Sequence, residues 1–167
     1  MKTQSRIGAA TAAFLGYTAV MLAIEQRLGE TGGPGIVAFE LAGDAERASD
    51  MMARWGSRGQ RLARLSLRLD FGYMLSYGAL AALLVDRARR RRRHPRVLPL
   101  LVAVAVIGDA VEGVSLLRVL DGRDIGQNAR RARTAASIKF ALLGVSLVYA
   151  AVGNAGVRRA AVPSQFA

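Results

Sequence analysis

Four apolar blocks, each about as long as a bilayer is thick, govern what this chain can fold into. They run over 7–24, 65–85, 97–120 and 134–153, and most of the charge lies between them. About 20 apolar residues in helical form cross the hydrocarbon of a membrane. In lipid the backbone has no water to bond with, so a helix, which satisfies its own N–H and C=O groups, is the form such a block takes. The sequence predicts an all-α polytopic membrane protein. It reads as a four-transmembrane-helix bundle, a single membrane domain over 1–167, with an extra amphipathic surface helix between helices one and two.

The first block, IGAATAAFLGYTAVMLAI, carries no charge and follows Lys2 and Arg6. A signal peptide is the competing reading. The block is long for that, and Ala23, Ile24 and Glu25 make a poor cleavage site, so a retained helix is expected. Gly8, Ala12 and Gly16 form a small-xxx-small ridge suited to close approach by a neighbouring helix.

Between the first two blocks, GETGGPG (29–35) reads as a flexible loop by its Gly and Pro content. From Ile36 the pattern turns helical. Val37, Leu41, Ala45, Ala48, Met52 and Trp55 recur at three- and four-residue steps, with Glu40, Asp44, Arg47, Arg54, Arg58 and Arg61 on the other side. This is read as one amphipathic helix over 36–58, with a break near Gly56 and Gly59 allowed for. It would lie at the membrane surface or cap the bundle, with Trp55 suited to the interface.

The formal net charge is +12, from 24 Lys and Arg against 12 Asp and Glu. In a soluble chain that would point to nucleic acid. Here seven Arg fall in the ten residues 87–96, between blocks two and three: Arg87, Arg89, Arg90, Arg91, Arg92, Arg93 and Arg96. A cationic loop of this kind belongs on the cytoplasmic side. Both termini then fall on that side too, in agreement with Lys2, Arg6, Arg158 and Arg159. The segments 25–64 and 121–133 fall outside, although they carry ten Arg. In 25–64, six Arg are offset by six acids. The run is expected to contact anionic lipid head groups, each Arg contributing about 1 kcal/mol near the surface. With no aromatic residue interleaved to stack a base, no nucleic-acid partner is expected. The abundance of Arg, Ala, Gly, Val and Leu suggests a GC-rich bacterial genome, hence a bacterial inner membrane.

There is no Cys, and His94 is the one His. Thiolate chemistry is excluded, and neither a metal site nor a cofactor is expected. No nucleophile elbow, P-loop or dinucleotide fingerprint is present.

The informative residues are the charges inside the blocks. Asp70, Asp109, Glu112 and Lys139 would each cost roughly 2.5–3.5 kcal/mol at a helix centre. At 100° per residue, Asp70 shares a stripe with Tyr73 and Tyr77, and Asp109 and Glu112 share a face. Lys139 shares one with Leu142, Leu143 and Ser146. At about 1.5 Å per residue, Asp70 and Lys139 lie roughly 8 Å from the outer face, Glu112 roughly 12 Å and Asp109 roughly 17 Å. All fall in the outer half of the bilayer. One cluster is predicted: Asp70, Asp109 and Glu112 around Lys139, with Tyr73 and Tyr77 as hydrogen-bond partners. The carboxylate excess requires that at least one carboxyl be protonated, with Asp109 or Glu112 the best placed.

The chain resembles a group of small, uncharacterised bacterial four-helix membrane proteins. The resemblance rests on FELAGDAERASDMMARWG (39–56), LDFGYMLSYG (69–78), GDAVEGVSLLRVLDG (108–122) and the Lys of SIKFALL (137–143). In that group a large residue follows Asp-Phe, where this chain has Gly72, and Asn often replaces Gly113. The resemblance implies the topology and gives weight to Asp70, Asp109, Glu112 and Lys139. It implies no activity.

Three functions stay open. The first is a non-enzymatic scaffold or partner-binding subunit, with the cluster fixing helix packing. The second is a small proton- or cation-coupled transporter acting as an oligomer. The third is a membrane enzyme acting on a lipid or isoprenoid substrate.

Overall fold

The computed structural model describes residues 2–155; Arg158 and Arg159 lie outside them. Five helices and no strand occur among the described residues: α1 (Lys2–Gly29), α2 (Ile36–Glu40), α3 (Ala45–Arg92), α4 (Leu100–Leu120) and α5 (Ile125–Ala155). Four of them, α1, α3, α4 and α5, are long and apolar enough to cross a membrane. α1, α3 and α5 run well beyond their apolar blocks, because a helix can continue into water once its apolar stretch ends.

The helix ends follow from local chemistry. Asp44 caps α3 by accepting a hydrogen bond from the Arg47 backbone N–H at 2.8 Å. At the far end of α3, Arg93 turns left-handed (φ 57°) and the His94 N–H reaches back to the Arg89 carbonyl at 2.9 Å, with Pro95 beyond. α4 begins only at Leu100, since Pro99 disfavours helix in the residue before it. It ends in a Schellman turn in which Gly122 takes φ 72° and the Arg123 N–H meets the Arg118 carbonyl at 2.9 Å.

α4 lies along α5, both lie against α3, and α1 packs chiefly along α3. Two apolar cores form, one at each end. At the cap end, Leu28, Phe39, Trp55, Leu67, Leu116 and Val119 pack with a set of alanines. At the arginine end the core is small, built on Ala81, Val85, Val102 and Ala150. Small residues let the helices approach closely. A Cβ on Gly153 would come within 2.5 Å of the Ala88 Cβ.

The segment 36–58 departs from the single amphipathic helix read in the sequence. α2 stops at Glu40, a turn through Gly43 (φ 77°) interrupts the helix, and α3 starts at Ala45. A second break falls at Gly56, whose φ 58° and ψ −168° occupy a region essentially confined to glycine. The loop 29–35 is also pinned rather than free. Trp55 Nε1 donates to the Pro34 carbonyl at 2.7 Å. Both Glu25 carboxylate oxygens accept from the Ile36 N–H, at 3.2 and 3.1 Å, and so cap α2 from α1. A Cβ at Gly35 would lie 1.9 Å from Glu25 Oε1. Trp55 is 2% exposed and meets Phe39 edge-on, so it serves as a core residue of the cap.

The ridge of Gly8, Ala12 and Gly16 faces outward, and nothing lies within 4 Å of a Cβ built at either glycine. No helix among the described residues packs into it.

Candidate functional site

Lys139 is the centre of the site. It stands on α5 and is buried, with its Nζ 2.9 Å from Asp109 Oδ1 and 2.9 Å from Glu112 Oε2, both on α4. The Asp109 contact is a good hydrogen bond. Glu112 Oε2 is close as a charge but poorly aligned as an acceptor, and no hydrogen bond satisfies it. Tyr77 Oη donates to the second oxygen of Asp109. Asp109 and Glu112 are three residues apart on one helix face, which is why a single ammonium can meet both.

A third carboxylate joins them. Glu40, the last residue of α2, places Oε2 3.7 Å from Lys139 Nζ. Sequence periodicity assigned Glu40 to the polar side of an outer helix, with Asp44 and Arg47. The break at 41–44 and the two pins on the preceding loop go with its placement inward instead. Burial raises the Glu40 carboxyl above its ordinary value, with Lys139 acting against that rise.

Asp70 and Tyr73 are near the cluster without bonding to Lys139. Tyr73 accepts a long hydrogen bond from Thr18 Oγ1 at 3.4 Å, stacks on Phe14 at 5.7 Å, and meets Tyr77 edge-on at 5.6 Å. Among the described residues Asp70 has neither a hydrogen bond nor an ion pair with a side chain. It lines a cavity of about 490 Å³ together with Glu40, Asp109, Lys139, Tyr73 and Tyr77.

That cavity lies between α1 and α5, over α3. Phe14, Met21 and Leu22 form its α1 wall, and Phe140, Leu143 and Leu147 its α5 wall. Leu80, Ala81 and Leu84 extend it along α3 toward the arginine end. It is thus an apolar groove with one polar end, and its volume falls within the roughly 300–1,000 Å³ of ligand pockets. Glu112 does not line it.

The arginine run is partly committed to the protein. Arg89 and Arg90 pair with Asp86, and their hydrogen bonds hold that carboxylate below its ordinary range although burial opposes this. Arg91 reaches Asn154 Oδ1 at 3.2 Å and Arg92 donates to the Val152 carbonyl at 2.9 Å, capping the end of α5. His94 bonds Tyr149 Oη at 2.9 Å. Arg87, Arg93 and Arg96 make no such contacts among the described residues.

Fold and site define an all-helical chain whose four membrane-length helices enclose an ionisable cluster beside an apolar groove. No family model, curated protein or solved structure matches the chain.

Proposed function

We propose that this chain is an integral membrane protein that takes up an amphiphile from the bilayer, with the apolar chain in the groove between α1 and α5 and the head at the Lys139 cluster. One observation carries the reading: the cluster opens onto a 490 Å³ groove whose walls are mostly apolar side chains. A network that served only to fix helix register would have no need of that groove. The reading therefore favours a ligand-binding protein over a pure scaffold, and it leaves binding without chemical conversion as the simplest activity.

In this arrangement the helices form a four-span bundle in a bacterial inner membrane, with both termini and the arginine run in the cytoplasm. Arg87, Arg93 and Arg96 contact anionic head groups there, at about 1 kcal/mol each. α2 and the start of α3, up to Gly56, are amphipathic and cover the outer side. The outward ridge of Gly8, Ala12 and Gly16 favours a second role, in which α1 packs against a second copy or a membrane partner.

The test is what accompanies the purified protein. Membranes extracted without detergent exchange, followed by mass spectrometry of the bound fraction, should give one amphiphile class enriched over bulk lipid. Leu143→Trp, which fills the groove from α5, should remove that enrichment while the helix content is retained. Equal lipid composition in wild type and variant, matching the bulk membrane, would overturn the reading.

A further inference from the structure

The polar end of the groove has a definite chemical preference, and its inventory of charge sets that preference. Three carboxylates line that end, Glu40, Asp70 and Asp109, and Glu112, outside the lining, also holds Lys139. The cation among them is Lys139, and its ammonium is already spent on Asp109 and Glu112 at 2.9 Å and on Glu40 at 3.7 Å. Asp70 faces the groove with no partner of its own among the described side chains. Acceptors thus outnumber donors where a head group would sit. Taking an unpaired carboxylate out of water is costly, and a cation in contact with it offsets the cost.

The surroundings of Asp70 point the same way. Asp70, Tyr73 and Tyr77 lie on one face of α3. The two tyrosine rings meet at 77°, and Phe14 stacks on Tyr73 from α1. Aromatic faces that border a carboxylate attract a cation through their ring quadrupoles, and they suit an ammonium better than a hydrated metal ion. An anionic head group would meet three carboxylates with the lysine already engaged.

We infer that the occupant of the groove is a long-chain amphiphile with an ammonium head, which Asp70 anchors and the rings of Tyr73, Tyr77 and Phe14 flank. This rests on the groove being a binding site, as proposed above, and adds the charge of its ligand. The chain of such a molecule lies along Leu80, Leu84, Leu143 and Leu147, and its head displaces nothing that Lys139 holds.

The experiment uses the full chain in nanodiscs of zwitterionic lipid, with empty nanodiscs as the baseline. A fluorescent hexadecyltrimethylammonium analogue is titrated, then competed with hexadecyltrimethylammonium, hexadecanol and palmitate. The ammonium compound should compete at least about tenfold better than the other two, through its ion pair with Asp70 and its contacts with the aromatic rings. Asp70→Asn should erase that preference. Tyr73→Leu should weaken the ammonium compound selectively. Thermal unfolding of each variant in the same nanodiscs checks that it is folded. If hexadecanol or palmitate competes as well as the ammonium compound on the wild-type protein, the head assignment is wrong and the groove stands as a site. Should Asp70→Asn keep the full preference, Asp70 is not the anchor. If no probe binds above the empty nanodisc, the groove reading fails, and this inference with it.

Discussion

Lys139 is a buried ammonium on α5. A buried ammonium at this depth is tolerable because three carboxylates from two other helices reach it. Removing one partner of such a buried pair typically costs about 3–5 kcal/mol, because the remaining charge is left uncompensated. Glu40, at the end of α2, lies outside the apolar segments. It faces Lys139 from α5, Asp109 and Glu112 from α4, and Asp70 from α3. Burial raises its carboxyl above the ordinary 4.5. A raised carboxyl is favourable to the fold in its protonated form. Its contribution is therefore fully present below 4.5 and is lost as pH rises through the higher folded value. Glu40→Gln keeps the size and stays neutral, so its melting temperature should fall less than that of the wild type as pH rises above 4.5. Parallel curves for the two proteins, measured in one detergent, would refute this. Asp109, Glu112 and Lys139 were legible in the sequence because a charge inside an apolar block is anomalous. Glu40 was not, because it sits among the charges of a mixed segment where nothing local marks it.

At the level of elements, the outer segment shows how glycine and one tryptophan turn an amphipathic pattern into a delivery device. Hydrophobic spacing over 36–58 fits one helix with a break allowed near Gly56 and Gly59, and periodicity alone cannot register the earlier break at 41–44. Two glycines decide otherwise: Gly43 at φ 77° and Gly56 at φ 58°. The pieces between them are then fastened by Trp55 to Pro34 and by Glu25 to Ile36. The backbone of Gly56 is nearly inaccessible to other residues. Gly56→Ala should therefore destabilise the protein by about 1–3 kcal/mol, although no side chain obstructs a methyl there. Denaturant or thermal unfolding in detergent measures this. A change within error of zero would mean that the break at Gly56 is not needed. The arginine run shows the same lesson from the other end. It reads as a uniform cationic patch, yet Arg89 and Arg90 serve Asp86, while Arg91 and Arg92 hold the end of α5.

For the whole molecule, the decisive questions are which side is which and where the groove opens. The chain contains no Cys, so single-cysteine variants need no further engineering. Ser5→Cys, near the N-terminus, should be shielded from a membrane-impermeant maleimide in intact cells and should react after lysis. Ser57→Cys, on the exposed side of the break at Gly56, should react in intact cells. The reverse labelling would invert the proposed orientation and place the Lys139 cluster in the inner leaflet. The sequence by itself determined the four membrane-length helices, the anomalous charges within them and the arginine run, because apolar length and charge in lipid are local properties with large energies. Tertiary structure alone decided that α1 stands off from α5 to leave a groove, that Asp70 faces that groove without a partner, and that Glu40 reaches Lys139. These depend on how helices distant in sequence are spaced and on where the helix breaks, and no periodicity within one segment carries that information.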